Sequence, residues 1–256
     1  MKIAILGAGN MGGAIARGLA QGGLVATKDI TVTNPSVGKL DKLKAEYPEI
    51  NVSTDNSVAS EADMVIIAVK PWKVEEVVKP LHLRRPQIVV SVAAGISFDT
   101  LKEYVDKDMT MFRVIPNTAI SCLASTTLIA ECNASTEQIQ MLLNLFNEMG
   151  LSILIEEKQM TAATALTSCG IAFVLKYVQA AMQAGVEVGI RPKDAMKMLA
   201  QTLDGAAQLL LTDENTHPAI EIDKVTTPGG ITIKGVNQLD HDGFTSAVIN
   251  AVKACM

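Results

Sequence analysis

Residues 2–12 read KIAILGAGNMG, a short apolar run that ends at the first of three glycines. The run predicts a strand over residues 2–6, and residues 11–21 have helical spacing. In this strand–turn–helix context the spacing is typical of a dinucleotide site, with a tight turn, a close backbone approach and close helix packing at the successive glycines. The alternative is an ordinary glycine turn. The predicted pyrophosphate loop comprises Gly7, Gly9, Asn10, Met11 and Gly12, at the start of a helix.

Alternation of strands and helices continues through roughly the first 115 residues. Apolar runs rich in β-branched residues predict strands at residues 30–33, 64–69, 87–92 and 109–114, and helices are expected at 37–46, 72–80 and 98–105. Strands that are apolar throughout and separated by helices indicate a parallel sheet covered on both faces. Runs at 126–130 and 151–155, flanking a helix opened by Ser135, extend the sheet. We therefore expect an N-terminal doubly wound α/β domain.

The remainder of the chain has a helical texture. A long helix is expected from about Ala172 to Val188, and a second begins after Arg191 and runs to about Leu211. We place a boundary near residue 157, which divides the chain into residues 1–157, a nucleotide-binding domain, and residues 158–256, an all-α domain. Helices so apolar and so poor in aromatic residues suit burial in an oligomer.

Composition excludes several classes of function. The chain has 256 residues and a net charge of -5, and no segment forms a basic stripe, so nucleic acid and anionic membranes are disfavoured as partners. Neither a signal peptide nor a run of eighteen apolar residues is recognisable, and we expect a soluble, cytoplasmic protein. The four cysteines lack CxxC spacing and the three histidines are scattered, so we expect neither a metal site nor disulfides.

The end of the second strand bears on the choice of cofactor. An NAD site usually carries Asp or Glu there, to bind the ribose 2′-hydroxyl. This chain instead has Asn34 and Ser36, with Lys39 one turn further on. Uncharged donors and a nearby cation favour NADPH over NADH, which remains the second candidate. The alternative is that Asn-Pro-Ser is only a turn.

Three later strand ends break at proline or glycine and together predict one cofactor rim. The first is the run Ala68, Val69, Lys70 and Pro71. The second includes Ala94, where small residues leave room for a flat ring, and the third extends from Arg113 to Thr118. Ligands of open α/β sheets bind at this carboxyl edge. For Lys70 alone, a solvated charge at a strand end is the alternative.

These motifs resemble the pyrroline-5-carboxylate reductase family. The most specific is VTTPGGIT at residues 225–232, and the match extends from the first strand to Ala251, including GFTSA at 243–247. The resemblance implies a Rossmann-type domain with a C-terminal dimerisation domain, and reduction of the C=N bond of 1-pyrroline-5-carboxylate to L-proline. It also implies a homodimer through intertwined C-terminal helices, able to assemble further. The active site would lie between the nicotinamide of one subunit and helices supplied partly by the other.

Site residues follow from the chemistry and the resemblance together. Backbone N–H groups at Gly229 and Gly230, before a helical stretch, would bind the substrate carboxylate, and Thr227 would bind substrate and cap that helix. The family threonine matching Thr232 contacts the reacting ring nitrogen, which implies a catalytic and substrate-binding role. Two further candidates are asparagines. Asn117 would either bind substrate or serve only as a turn residue. Asn56 would contact the cofactor and also cap a helix N-terminus.

Departures from the family pattern keep two alternatives open. The chain has Ala119 where the family has proline, and SCGIA at residues 168–172 where it has GSGPA. The second departure motivates a reductase-like NADP-binding regulator without activity. A β-hydroxyacid dehydrogenase is the other alternative, although Lys176 lies six positions after Gly170, which is too far for that class.

Overall fold

The computed structural model describes residues 1–213 and 215–256, and in that part of the chain eight strands form one sheet. The strands are β1 (Ile3–Leu6), β2 (Ile30–Thr33), β3 (Asn51–Ser53), β4 (Met64–Ile67), β5 (Ile88–Ser91), β6 (Thr110–Ile115), β7 (Ser125–Cys132) and β8 (Gly150–Leu154). Their order is β3-β2-β1-β4-β5-β6-β7-β8, and the pairs are parallel except for β6 with β7. The predicted doubly wound sheet is confirmed. Strand order reverses beside β1, so β1 and β4 create the crevice where such folds bind ligands.

Helices cover both faces of the sheet. In the first part of the chain they are α1 (Asn10–Gln21), α2 (Val37–Glu46), α3 (Val74–Val78), α4 (Phe98–Leu101), α5 (Thr136–Asn147) and α6 (Met160–Thr164). Alternate residues of β1 face opposite cores: Ile3 and Ile5 pack with α1 and α5, whereas Ala4 and Leu6 pack with α3 and α4. Both sets are almost fully buried, which explains why the strand is apolar throughout.

Several local predictions differ from the structure. The expected helix over 72–80 is shortened to α3, because Pro71 begins a preceding 3-10 turn and Pro80 lies in the following one. The strand β3 was not predicted, because three residues with two polar side chains carry no apolar pattern. By contrast, the predicted opening of α5 by Ser135 is confirmed, since its side chain accepts from the N–H of Gln138.

A second compact unit, Cys169–Met256, contains helices and no strand in its described residues, as predicted. It contains α7 (Gly170–Glu187), α8 (Pro192–Thr212), α9 (Pro218–Val225), α10 (Ile231–His241) and α11 (Phe244–Lys253). Within the described residues, Ala195 is the one buried residue of these five helices. By length and composition alone, the stretch Glu157–Glu187 could cross a membrane, and 6% of its most apolar window is buried.

The first compact unit is Met1–Ser168, so packing divides the chain later than residue 157. The reason is that Met160, in α6, is 3% exposed and belongs to the core of the sheet unit, with Ala163 packed against it. The helical part of the sequence therefore begins earlier in the chain than the second compact unit does.

Candidate functional site

Gly7 ends β1 in a conformation that favours glycine. Its φ is +108°, and its N–H donates to the carbonyl oxygen of Thr33 at 2.8 Å. A Cβ at this position would lie 2.7 Å from the carbonyl oxygen of Ala68. The turn is therefore enclosed by the ends of β2 and β4, and a side chain at Gly7 would displace backbone atoms.

The other two glycines of the loop differ in the space around them. A Cβ at Gly12 would lie 1.9 Å from the carbonyl oxygen of Gly7, whereas a Cβ at Gly9 would meet nothing within 4 Å. The predicted packing role of Gly12 is thus confirmed. Gly9 is the N-cap of α1, which has neither a side-chain cap nor an acidic residue in its first turn. An uncapped helix start with open space in front of it fits a pyrophosphate.

Asn34 joins the end of β2 to the nucleotide loop. Its Oδ1 accepts the backbone N–H of Ala8 at 3.3 Å, and its Nδ2 donates to the carbonyl and hydroxyl oxygens of Ser36, both at 2.9 Å. Ser36 is exposed, as is Lys39 on α2. A group bound here would meet amide and hydroxyl side chains and no carboxylate from residues 33–36, which suits a 2′-phosphate.

Asn56 reaches the same edge, but it does not cap its helical turn. The N-cap of that turn is Asp55, whose side chain accepts the N–H of Ser57 at 2.9 Å, so the N-cap prediction for Asn56 is wrong by one residue. Instead, the hydroxyl of Thr33 donates to Oδ1 of Asn56. Because Thr33 ends β2, this contact holds Asn56 beside the predicted cofactor rim.

The rim after β4 lies directly against the nucleotide loop. The N–H of Ala68 donates to the carbonyl oxygen of Leu6 at 2.9 Å, and Val69 lies within 3.2 Å of the Cβ position of Gly7. Lys70 is exposed, with Nζ 6.0 Å from the centre of the Trp72 ring. Trp72, the single tryptophan of the chain, is 75% exposed.

The side chain of Asn117 already makes hydrogen bonds within the protein, at the start of the loop that follows β6. It is 5% exposed; its Oδ1 accepts the N–H of Ala119 at 3.0 Å, and its Nδ2 donates to the carbonyl oxygen of Thr167 at 3.2 Å. Thr167 lies in a π-helical turn, Ala165–Cys169. These contacts support the alternative role of a turn residue, and substrate binding by Asn117 stays a prediction.

In the second unit, the substrate candidates gather at the start of α10. Gly229 has φ +75°, and Gly230 is the N-cap of α10 without a side-chain cap. The capping prediction for Thr227 is wrong: its backbone carbonyl accepts the N–H of Gly230 at 2.9 Å, closing the turn. Its hydroxyl lies 2.7 Å from where a Cβ of Gly230 would be, so a side chain at Gly230 would displace that hydroxyl. Thr232 lies exposed in the first turn.

The structure thus collects the predicted residues into two sets, one in each unit. The carboxyl edge of the sheet carries the cofactor candidates, including Ala94, which is exposed after β5, and Asn10, Met11 and Pro71. Among residues 1–213 and 215–256, no three His, Cys, Asp or Glu side chains lie close enough to share a metal ion, and the absence of a metal stays a prediction. A cavity of about 710 Å³ beside Met1 and Leu24 contains none of the predicted site residues.

Comparison with known families gives two matches. A family model described as pyrroline-5-carboxylate reductase dimerisation matches residues 157–256, and one described as coenzyme F420-dependent NADP oxidoreductase matches residues 2–95.

Individual relatives extend over nearly the whole chain. Pyrroline-5-carboxylate reductase 1 of Dictyostelium discoideum is 36% identical over 98% of this chain, which spans only 48% of that protein. Pyrroline-5-carboxylate reductase 2 of the same organism is 35% identical over 98% of this chain and 89% of its own length. The solved structure of Plasmodium falciparum pyrroline carboxylate reductase with NADP bound has a TM-score of 0.87 at 25% identity, covering 100% of this chain and 95% of that one.

Proposed function

The chain belongs to the pyrroline-5-carboxylate reductase family, and from this membership we propose that its two residue sets serve one reaction, NADPH-dependent reduction of 1-pyrroline-5-carboxylate to L-proline. The nucleotide loop is the observation that carries the proposal. Its Gly12 position is filled by neighbouring backbone, while the space at Gly9 is open in front of an uncapped helix. The residues present therefore fit a dinucleotide.

The predicted cofactor residues bind different parts of NADPH. Backbone N–H groups at the start of α1 bind the pyrophosphate, and Asn34 and Ser36 bind the 2′-phosphate of NADPH. Asn56 supports the same strand end through Thr33. The segment from Ala68 to Pro71, and Ala94, line the rest of the cleft. NADPH is the preferred cofactor because no carboxylate at this strand end would repel the phosphate.

The chemistry makes few demands on the protein. NADPH, when bound, supplies a hydride. A protonated imine is already electrophilic, and on gaining a hydride at carbon it becomes a neutral amine without needing another proton. The chain must therefore hold and orient the imine, and approximation alone can lower the barrier by about 7–11 kcal/mol. This agrees with a candidate site that contains no histidine.

Binding of the imine falls to the start of α10. The turn from Thr227 to Gly230 leaves α10 without a side-chain cap, so N–H groups of its first turn are available to the substrate carboxylate. Ile231, between the turn and Thr232, is 87% exposed, which keeps this helix start open. Thr232 accepts a hydrogen bond from the protonated ring nitrogen through Oγ1 and so selects the orientation of the ring.

We also propose that the second unit pairs with a second copy of the chain. The helices α7, α9, α10 and α11 contain no buried residue in the described part of the chain, and Leu175 and Leu211 are 61% and 77% exposed. A soluble protein rarely leaves such apolar surface in water. The dimerisation match over residues 157–256 supports a homodimer. The apolar surface of α7 then meets a subunit and not a membrane, in keeping with a cytoplasmic enzyme.

The test is NADPH oxidation by purified protein supplied with 1-pyrroline-5-carboxylate, followed by chromatographic detection of proline. Proline must form in a one-to-one ratio with NADPH consumed. Rescue of a proline auxotroph by this chain would remove the regulatory alternative. A protein that binds NADPH but leaves it unoxidised would support that alternative, and activity on a 3-hydroxyacid alone would support the dehydrogenase.

A further inference from the structure

Glu157 connects two elements of the sheet unit that are distant in sequence. Its Oε1 accepts one hydrogen bond from Nη1 of Arg113, on β6, at 2.7 Å and another from the backbone N–H of Phe98 at 2.8 Å. Phe98 is the first residue of α4. One carboxylate oxygen therefore ties a central strand to the start of a helix.

The arginine of this ion pair is largely removed from solvent, and the glutamate is partly exposed. The side chain of Arg113 is 11% exposed and that of Glu157 is 35% exposed. In addition, Nε of Arg113 is buried without a hydrogen-bond partner. A buried guanidinium with an unsatisfied nitrogen carries a desolvation penalty that an apolar residue at this strand position would avoid. Stability alone does not account for an arginine here.

The pair fixes one end of the segment Val92–Ser97. At the other end, the N–H of Val92 donates to the carbonyl oxygen of Ile67 in β4, at 3.0 Å. Between these anchors, Ala94 is exposed at the carboxyl edge of the sheet and Gly95 has φ +78°. Ser97 supplies a side-chain cap to α4 through the N–H of Thr100, which leaves the N–H of Phe98 for Glu157.

We propose that Arg113 and Glu157 are a positioning pair for hydride transfer. The pair sets the position of Val92–Ser97, and with it the wall against which the nicotinamide lies; this inference rests on the proposed function. Neither side chain touches the reacting atoms. Because the pyrophosphate and 2′-phosphate sites lie on other elements, loss of the pair affects the geometry of the reaction far more than the affinity for NADPH.

The experiment compares three variants of the pair and one control variant with the wild-type enzyme. Glu157→Leu removes the acceptor for both Arg113 and Phe98, whereas Glu157→Gln keeps an oxygen for both. Arg113→Met removes the buried charge and is the variant best able to fold. Glu75→Leu, which breaks the exposed Glu75–Lys79 pair at 2.7 Å, is the matched control. Unfolding temperature, Kd for NADPH, kcat and the fluorescence of bound NADPH are measured for each.

We expect kcat to fall at least about tenfold in Glu157→Leu and Arg113→Met, since small misplacements of reacting groups have effects of this size. Kd for NADPH should stay within about threefold, Glu157→Gln should recover most of the activity, and Glu75→Leu should match wild type. The fluorescence of bound NADPH should change in the two damaging variants even without substrate. Folded Arg113→Met with wild-type kcat and wild-type NADPH fluorescence would overturn the inference. An inactive wild type would instead overturn the proposed function, and the fluorescence would still decide the role of the pair.

Discussion

The backbone N–H of Ala8 donates to the side-chain Oδ1 of Asn34 at 3.3 Å, across 26 positions of sequence. This hydrogen bond joins the predicted pyrophosphate loop to the end of β2, which would contact the 2′-position of the ribose. The same side chain orients Ser36 through its Nδ2. Under the proposed function, cofactor choice and pyrophosphate binding would both depend on this one amide.

Replacing Asn34 or Ser36 by aspartate should shift preference from NADPH toward NADH. Asn34→Asp keeps an acceptor for Ala8 but places a negative charge beside the 2′-phosphate and removes the donor to Ser36. We expect the ratio of kcat/KM for NADPH over NADH to fall at least about tenfold, equivalent to about 1.4 kcal/mol. Ser36→Ala, which removes the hydroxyl without adding a charge, separates the loss of that contact from the effect of the charge. An unchanged ratio in both aspartate variants would place the 2′-phosphate elsewhere.

Alanine at Gly12 should lower stability, whereas alanine at Gly9 should weaken NADPH binding. Gly12→Ala forces a Cβ against the carbonyl oxygen of Gly7, and we expect it to lower the free energy of unfolding by about 1–3 kcal/mol. Gly9→Ala meets open space, so stability should be unchanged, while Kd for NADPH should rise about tenfold or more because the methyl group occupies the pyrophosphate space. Chemical denaturation and calorimetric titration measure the two quantities. Wild-type NADPH affinity in Gly9→Ala would contradict the site.

Removing the hydroxyl of Thr232 should lower turnover without weakening cofactor binding. A hydrogen bond to a charged group contributes about 1.5–3 kcal/mol, so kcat of Thr232→Ala should fall roughly 10- to 100-fold. Kd for NADPH should be that of wild type, because the residue lies in the other set. Thr232→Ser retains the hydroxyl and should retain most activity. If Thr232→Ser were as impaired as Thr232→Ala, the methyl group and not the hydroxyl would be responsible.

A charge on the apolar surface of α7 should dissociate the assembly. Leu175 is 61% exposed in the single chain, and Leu175→Glu would bury an unpaired carboxylate in the proposed homodimer. Sedimentation velocity should show a marked shift toward monomer. Leu24→Glu makes the same change at a 59% exposed position of the sheet unit and should leave the oligomer intact. Equal sedimentation of both variants and wild type would exclude this surface of α7 from the interface.

The reactivity of Cys255 should depend on Cys169. A hydrogen bond with the Cys169 side chain, and to a smaller extent desolvation, raise the pKa of the Cys255 thiol above its ordinary value. A raised pKa keeps the thiol protonated to higher pH, so alkylation should begin only at more alkaline pH. In Cys169→Ala the curve of alkylation rate against pH should move to lower pH. Peptide mass spectrometry after timed iodoacetamide treatment measures this, and coincident curves would show that the two thiols do not interact.

Local patterns in the sequence predicted most of the fold. The strand-glycine-helix spacing of residues 2–12 and the apolar strands predicted the sheet and its nucleotide loop, because turn geometry and burial act over a few residues. Errors occurred where neighbouring residues compete for one role. Asp55 takes the cap expected of Asn56, and the turn from Thr227 to Gly230 is closed by a backbone carbonyl where a side chain was expected.

The sequence by itself determined the class of the fold, the loop that suits a pyrophosphate and the membership of a reductase family, since each depends on residue type at fixed spacing. Only the tertiary structure decided which polar groups meet. Glu157 is hydrogen-bonded to Arg113, 44 residues away in the sequence, and Asn34 to Ala8, 26 residues away. The order of the strands in the sheet brings these elements together. Hydrogen bonds act over about 3 Å, and chain folding, not sequence spacing, sets which groups come that close.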